Sequence, residues 1–81
     1  MKILVVEDDA AVRKFLTTIL KKENYTVFEA ENGISALLIL KEQKDITVMI
    51  TDLIMPEKEG FETIIEVKKQ YPSINIIAIS G

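Results

Sequence analysis

An α/β fold built on a parallel, doubly wound sheet is the class this chain predicts, and three observations predict it. Short apolar runs of strand length, rich in β-branched residues, recur at Ile3–Val6, Ile46–Ile50 and Ile74–Ile79. Stretches with apolar residues at three- and four-residue spacing separate them. The runs are dense enough to suit strands covered on both faces, the usual condition of a parallel sheet. The order βαβαβαβ with right-handed crossovers follows.

The first strand, Ile3 to Val6, ends abruptly in Glu7, Asp8 and Asp9. From Ala10 the period changes: Val12, Phe15, Leu16, Ile19 and Leu20 form an inward stripe, with Arg13, Lys14, Lys21 and Lys22 off it. Asp8 or Asp9 is placed to cap this helix, and Asn24 to end it. Tyr25 to Glu29 alternates as a second, more exposed strand. Asn32 and Gly33 precede a helix over Ile34–Lys41 with Ala36, Leu37 and Leu40 inward. The third strand spans Ile46 to Asp52, and the turn residues Pro56 and Gly60 follow it. Phe61, Ile64, Ile65 and Lys68 mark a third helix that Tyr71-Pro72 stops. Ile74 to Ser80 reads as a fourth buried strand.

Composition removes several chemistries. The 81 residues make one small domain at most, and they include no Cys and no His. Disulfides, thiolate metal sites, ordinary zinc sites and His-dependent nucleophile systems are thereby excluded. The three glycines form neither a P-loop nor a dinucleotide fingerprint. A net charge of −3 and a pI of about 4.9 argue against a large nucleic-acid footprint. The paired lysines Lys21-Lys22 and Lys68-Lys69 read as solvated helix ends facing the negative pole of the dipole. No run approaches membrane-spanning length and the N-terminus is no signal peptide, so a cytoplasmic protein without membrane contact is expected.

What remains is acid chemistry. In a parallel sheet the ends of the first and third strands share one rim, where open α/β sheets place their ligand sites. Taken alone, Asp52 is an acid that starts a loop, and Glu7 to Asp9 is a helix cap. If the strands are neighbours, about 4.8 Å apart, the carboxylates meet within metal-binding distance. Such a cluster repels itself and raises its own pKa values. A hard divalent cation such as Mg²⁺ relieves it, while keeping waters and room for phosphate. Ser80 ends the fourth strand on the same rim, where its hydroxyl can donate to a phosphate oxygen.

These residues resemble the receiver domain of two-component response regulators. The resemblance rests on VVEDD at Val5 to Asp9, DLIMP at Asp52 to Pro56, Gly60 four residues later, and the Ser80 hydroxyl. Their order and spacing carry it, and it covers the whole chain. It implies a CheY-like, flavodoxin-like fold with strand order 2-1-3-4-5. It also implies a phosphorylation switch: Asp52 accepts a phosphoryl group from a sensor histidine kinase, a phosphotransfer protein or a small donor such as acetyl phosphate. Glu7 and Asp8 hold Mg²⁺ together with Asp52 and the Ile54 carbonyl, and Ser80 contacts the phosphoryl group. Asp9 caps the helix or supports the ligands from behind. The apolar Ile54 side chain bears on access of hydrolytic water. Such modules assist their own phosphorylation but are not dedicated enzymes. With no His in the chain, a phosphohistidine donor must be another protein.

The resemblance makes residues 1–81 a partial receiver domain, without the family's last helix, strand and helix. The Lys that pairs with the phosphoryl group and the aromatic switch residue lie in that portion. Each missing helix would cover on the order of 400 Å² of apolar surface, worth roughly 10 kcal/mol, against a net stability of about 5–15 kcal/mol for a whole domain. The expectation is therefore a chain that is oligomeric, rearranged or docked to a partner through the open Asn75–Ser80 edge. Two other classes compete with this reading. One is a self-assembling fragment whose acids are vestigial. The other is an Asp-nucleophile phosphatase or phosphotransferase, which the absence of a DxD pair after the first strand disfavours.

Overall fold

The computed structural model describes residues 1–52 and 59–79. Its elements are β1 (Lys2–Val6), α1 (Ala10–Lys22), β2 (Thr26–Ala30), α2 (Gly33–Glu42), β3 (Ile46–Asp52), α3 (Glu59–Gln70) and β4 (Asn75–Ile79). The four strands form one parallel sheet in the order β2-β1-β3-β4. β3 has the limits the sequence predicts; β1 and β4 start one residue away from the expected position, and β2 shifts by one residue at both ends.

Register explains where the core lies. Leu4 pairs with Phe28 on one side and Met49 on the other, and Met49 pairs with Ile76. Residues two apart share a face of a strand, so Leu4, Val6, Ala30, Met49 and Ile76 point the same way. Ala36 and Leu40 of α2 and Val67 of α3 close over them as the main apolar cluster. The opposite face carries Ile3 and Val5 on β1, Val48 and Ile50 on β3, and Ile77 on β4. There α1 packs on β1 and β2, burying Ile3 and Val5 while Val48 and Ile50 are half-buried.

That partial cover corrects the inward stripe expected for α1. Phe15 is 65 % exposed, Val12 and Ile19 are also exposed, and Thr17 is the residue that α1 buries. The Thr17 hydroxyl donates to the Lys14 carbonyl at 3.1 Å, which satisfies it internally. A helix seated over two strands buries only the near half of a wide apolar stripe. In α3 the inward residues are Gly60, Thr63 and Val67, and Phe61 and Ile65 are exposed. β4 is likewise not a buried strand: Ile77 is 52 % exposed at the edge of the sheet.

The helix ends follow their local chemistry. Asp9 is the N-cap of α1, its Oδ1 accepting from the N–H groups of Ala11 and Val12 at 2.9 and 3.2 Å. At the other end Asn24 adopts φ 67°. The Tyr25 N–H then reaches the Leu20 carbonyl, and the Asn24 N–H reaches that of Lys21, the paired bonds of a Schellman stop. Asn32 caps α2 by accepting from the Ser35 N–H at 2.8 Å. Asp9→Ala is expected to cost about 1 kcal/mol, read as a lower urea midpoint with an unchanged slope.

Candidate functional site

The rim at the carboxyl ends of β1 and β3 is where the sheet gathers its acids. Val6 is opposite Thr51, so the residues that follow each, Glu7 and Asp52, emerge side by side. The Glu7 N–H donates to the Ala30 carbonyl at 3.0 Å, extending the β1–β2 pairing by one step and holding Glu7 down in the sheet. Glu7 is consequently only 4 % exposed, whereas Asp8 is exposed and Asp52 half-buried. Carboxylate oxygens of Glu7, Asp8 and Asp52 all lie within 4.8 Å of one another. The backbone carbonyl of Asp52 accepts from the Thr51 hydroxyl at 3.3 Å.

Electrostatics follow from that crowding. Burial pushes the Glu7 carboxyl from 4.5 up to about 7, and the Asp8 and Asp52 carboxylates push the same way. The Asp9 N–H, which donates to Glu7 Oε2 at 3.1 Å, pulls against them. The donor set is all oxygen and anionic. It fits a hard divalent cation such as Mg²⁺, which takes one or two carboxylates and retains waters.

Three of the predicted site residues are thus brought together: Glu7, Asp8 and Asp52. Asp9 turns away from them to cap α1. Ile54 and Ser80 lie outside the described residues. Arg13, off the apolar stripe of α1, carries no role in the sequence pattern. Its side chain is only 19 % exposed, with Nη1 donating to the Glu7 carbonyl at 2.7 Å and Nε to Glu29 Oε1 at 3.3 Å. The available signal was its place one turn beyond the cap, on the helix that starts from the acid turn.

A parallel α/β module with converging carboxylates at the ends of two central strands is the class that fold and site define. Residues 3–81 match the family model of the response regulator receiver domain, and the chain belongs to that family. It is 38 % identical over 80 residues to the sensor kinase CckA of Brucella abortus, covering 98 % of this chain and 8 % of that protein. It is 36 % identical over 80 residues to the response regulator receiver protein CpdR of the same organism, covering 99 % of this chain and 66 % of CpdR. A chemotaxis protein CheY homologue of Campylobacter jejuni is 36 % identical over 83 residues, with 99 % and 64 % covered. The chain therefore spans just under two thirds of the two shorter relatives.

Solved structures agree on the fold. A response regulator receiver protein from Pseudomonas putida superposes with a TM-score of 0.92 at 34 % identity, covering 99 % of this chain and 67 % of that one. The response regulator TrrA from Thermotoga maritima, solved in complex with Mg(2+)-BeF, gives 0.88 at 33 % identity, with 98 % and 68 % covered. Receiver domains are signalling modules of two-component systems, and they generally bind Mg²⁺ in an acidic pocket. Among the described residues, no helix is long and apolar enough to cross a membrane.

Proposed function

We propose that this chain is a cytoplasmic phosphorelay receiver in which Asp52 accepts a phosphoryl group in the presence of Mg²⁺. The observation that carries this reading is the approach of the Glu7, Asp8 and Asp52 carboxylates to within 4.8 Å at the end of a central strand. The donor is a sensor histidine kinase, a phosphotransfer protein or a small acyl phosphate. The chain has no His of its own to serve, and its role calls for no direct contact with nucleic acid.

The step is an in-line displacement. A carboxylate oxygen of Asp52 attacks phosphorus, the P–N bond of the phosphohistidine breaks, and its electron pair returns to the imidazole. Asp52 is left as an acyl phosphate. Catalysis of such transfers is mostly positioning and charge neutralisation, for which a carboxylate is an adequate nucleophile. Bound Mg²⁺ supplies the neutralisation of phosphoryl-oxygen charge. Glu7 and Asp8 would hold it, with the Ile54 carbonyl as a further ligand; Ser80 would contact the phosphoryl group, and the Ile54 side chain would bear on access of hydrolytic water. The Asp9 carboxylate is engaged as a helix cap and leaves the ligand work to its neighbours.

Incubation with acetyl phosphate tests this reading. The intact mass should gain one phosphoryl group with Mg²⁺ and none with a chelator. A folded protein that gains nothing in either condition contradicts it.

A second reading, self-association through the Asn75–Ser80 edge, is favoured by the exposure of Ile77 on edge strand β4. It predicts a concentration-dependent mass in sedimentation equilibrium, and a monomer at all concentrations overturns it.

A further inference from the structure

We propose that Arg13 is a positioning residue for the acid turn, clamping the Glu7 backbone so that the Glu7 and Asp8 carboxylates face Asp52. The inference rests on reading that pocket as the Mg²⁺ and phosphoryl site. The clamp has two arms. Nη1 donates to the Glu7 carbonyl at 2.7 Å, a short, charge-assisted bond, and Nε is held by Glu29 of β2 at 3.3 Å. The Glu7 N–H is meanwhile fixed to the Ala30 carbonyl, also of β2, at 3.0 Å. Glu7 is therefore gripped at both of its backbone polar groups, once by the sheet and once by α1.

The charge is placed with equal economy. A guanidinium beside three clustered carboxylates would ordinarily neutralise one of them and compete with a metal ion. Here Arg13 forms its ion pair with Glu29, and its contact with Glu7 is to the carbonyl oxygen. The turn is held in place while the negative charge of the pocket stays available to a cation. Lysine cannot reproduce this, because one ammonium on a flexible stem lacks the rigid fork that reaches a carbonyl and a carboxylate in two directions.

The clamp is tested on Arg13→Ala and Arg13→Lys by amide NMR, first without metal and then through a Mg²⁺ titration. Without metal, the Glu7, Asp8 and Asp9 amides should shift in Arg13→Ala. The Asp9 amide, bonded to Glu7 Oε2, should exchange faster, while the amides of β3 and α2 stay put. Mg²⁺ affinity should fall about tenfold or more, the usual consequence of removing a group that orients a ligand. Arg13→Lys should recover thermal stability more fully than Mg²⁺ affinity, a split that a merely structural role would not produce. Should Arg13→Ala fail to fold, Arg13→Lys carries the same comparison. Unchanged Glu7–Asp9 amides overturn the clamp whatever Mg²⁺ does. So does a Mg²⁺ affinity within twofold of a wild type that binds. If the wild type itself takes no Mg²⁺, the functional reading fails, and the metal-free amides alone decide the clamp.

Discussion

Met49→Ala lowers the stability of this domain by about 2–5 kcal/mol, enough to consume a large share of a net stability of roughly 5–15 kcal/mol. Met49 is fully buried at the centre of β3. It is paired with Leu4 across β1 and with Ile76 across β4, under a roof that includes Val67. Truncation leaves a cavity bounded by sheet neighbours whose hydrogen-bonded backbones cannot collapse into it. Urea unfolding followed by far-UV circular dichroism reads the effect directly. The midpoint should fall by roughly 2 M or more at a slope of about 1 kcal/mol/M. A shift smaller than a few tenths of a molar would mean that the β3 centre is not the core.

Mg²⁺ affinity should climb steeply with pH up to about 7 and then level off. Glu7 carries the effect, because burial beside Asp8 and Asp52 raises its carboxyl to about 7 in the folded chain, from 4.5. Below about pH 4.5 the group is protonated whether the chain is folded or not. Between there and about pH 7 the folded state keeps a proton that the unfolded state releases. Metal-free stability therefore falls as pH rises through this window, by up to about 3 kcal/mol, and stays lower above it. A cation needs the ionised carboxylate, so binding expels that proton, and affinity drops about tenfold for each unit below 7. Calorimetric titrations from about pH 5.5 to about pH 8.5 check the profile. Glu7→Gln should flatten it and raise the metal-free stability at neutral pH. A wild-type profile that is already flat would contradict the assignment.

The strand pattern was legible because each apolar run stops at a charged or turn-forming residue. β3 illustrates it, running from Ile46 to the Asp52 carboxylate as expected. The convergence of Glu7, Asp8 and Asp52 was legible too, since parallel strands must deliver their ends to one rim. Periodicity could not tell which apolar residues find cover. Phe15 and Ile19 lie on a good helical stripe, yet α1 packs mainly on β1 and β2 and both are exposed. In α3 the buried residues are Gly60, Thr63 and Val67, smaller than the Phe61 and Ile65 that mark the sequence pattern. Arg13 was missed for a different reason. Its partners are a backbone carbonyl six residues back and a carboxylate on another strand, and neither leaves a trace in local spacing.

In the proposed function two strand ends assemble one phosphoacceptor at Asp52. Intact mass after exposure to a small phosphodonor with Mg²⁺, compared between wild type and Asp52→Asn, tests it most directly. A single phosphoryl adduct is expected on the wild type and none on the variant, with both chains folded. An adduct of equal extent on Asp52→Asn would place the chemistry elsewhere and contradict it.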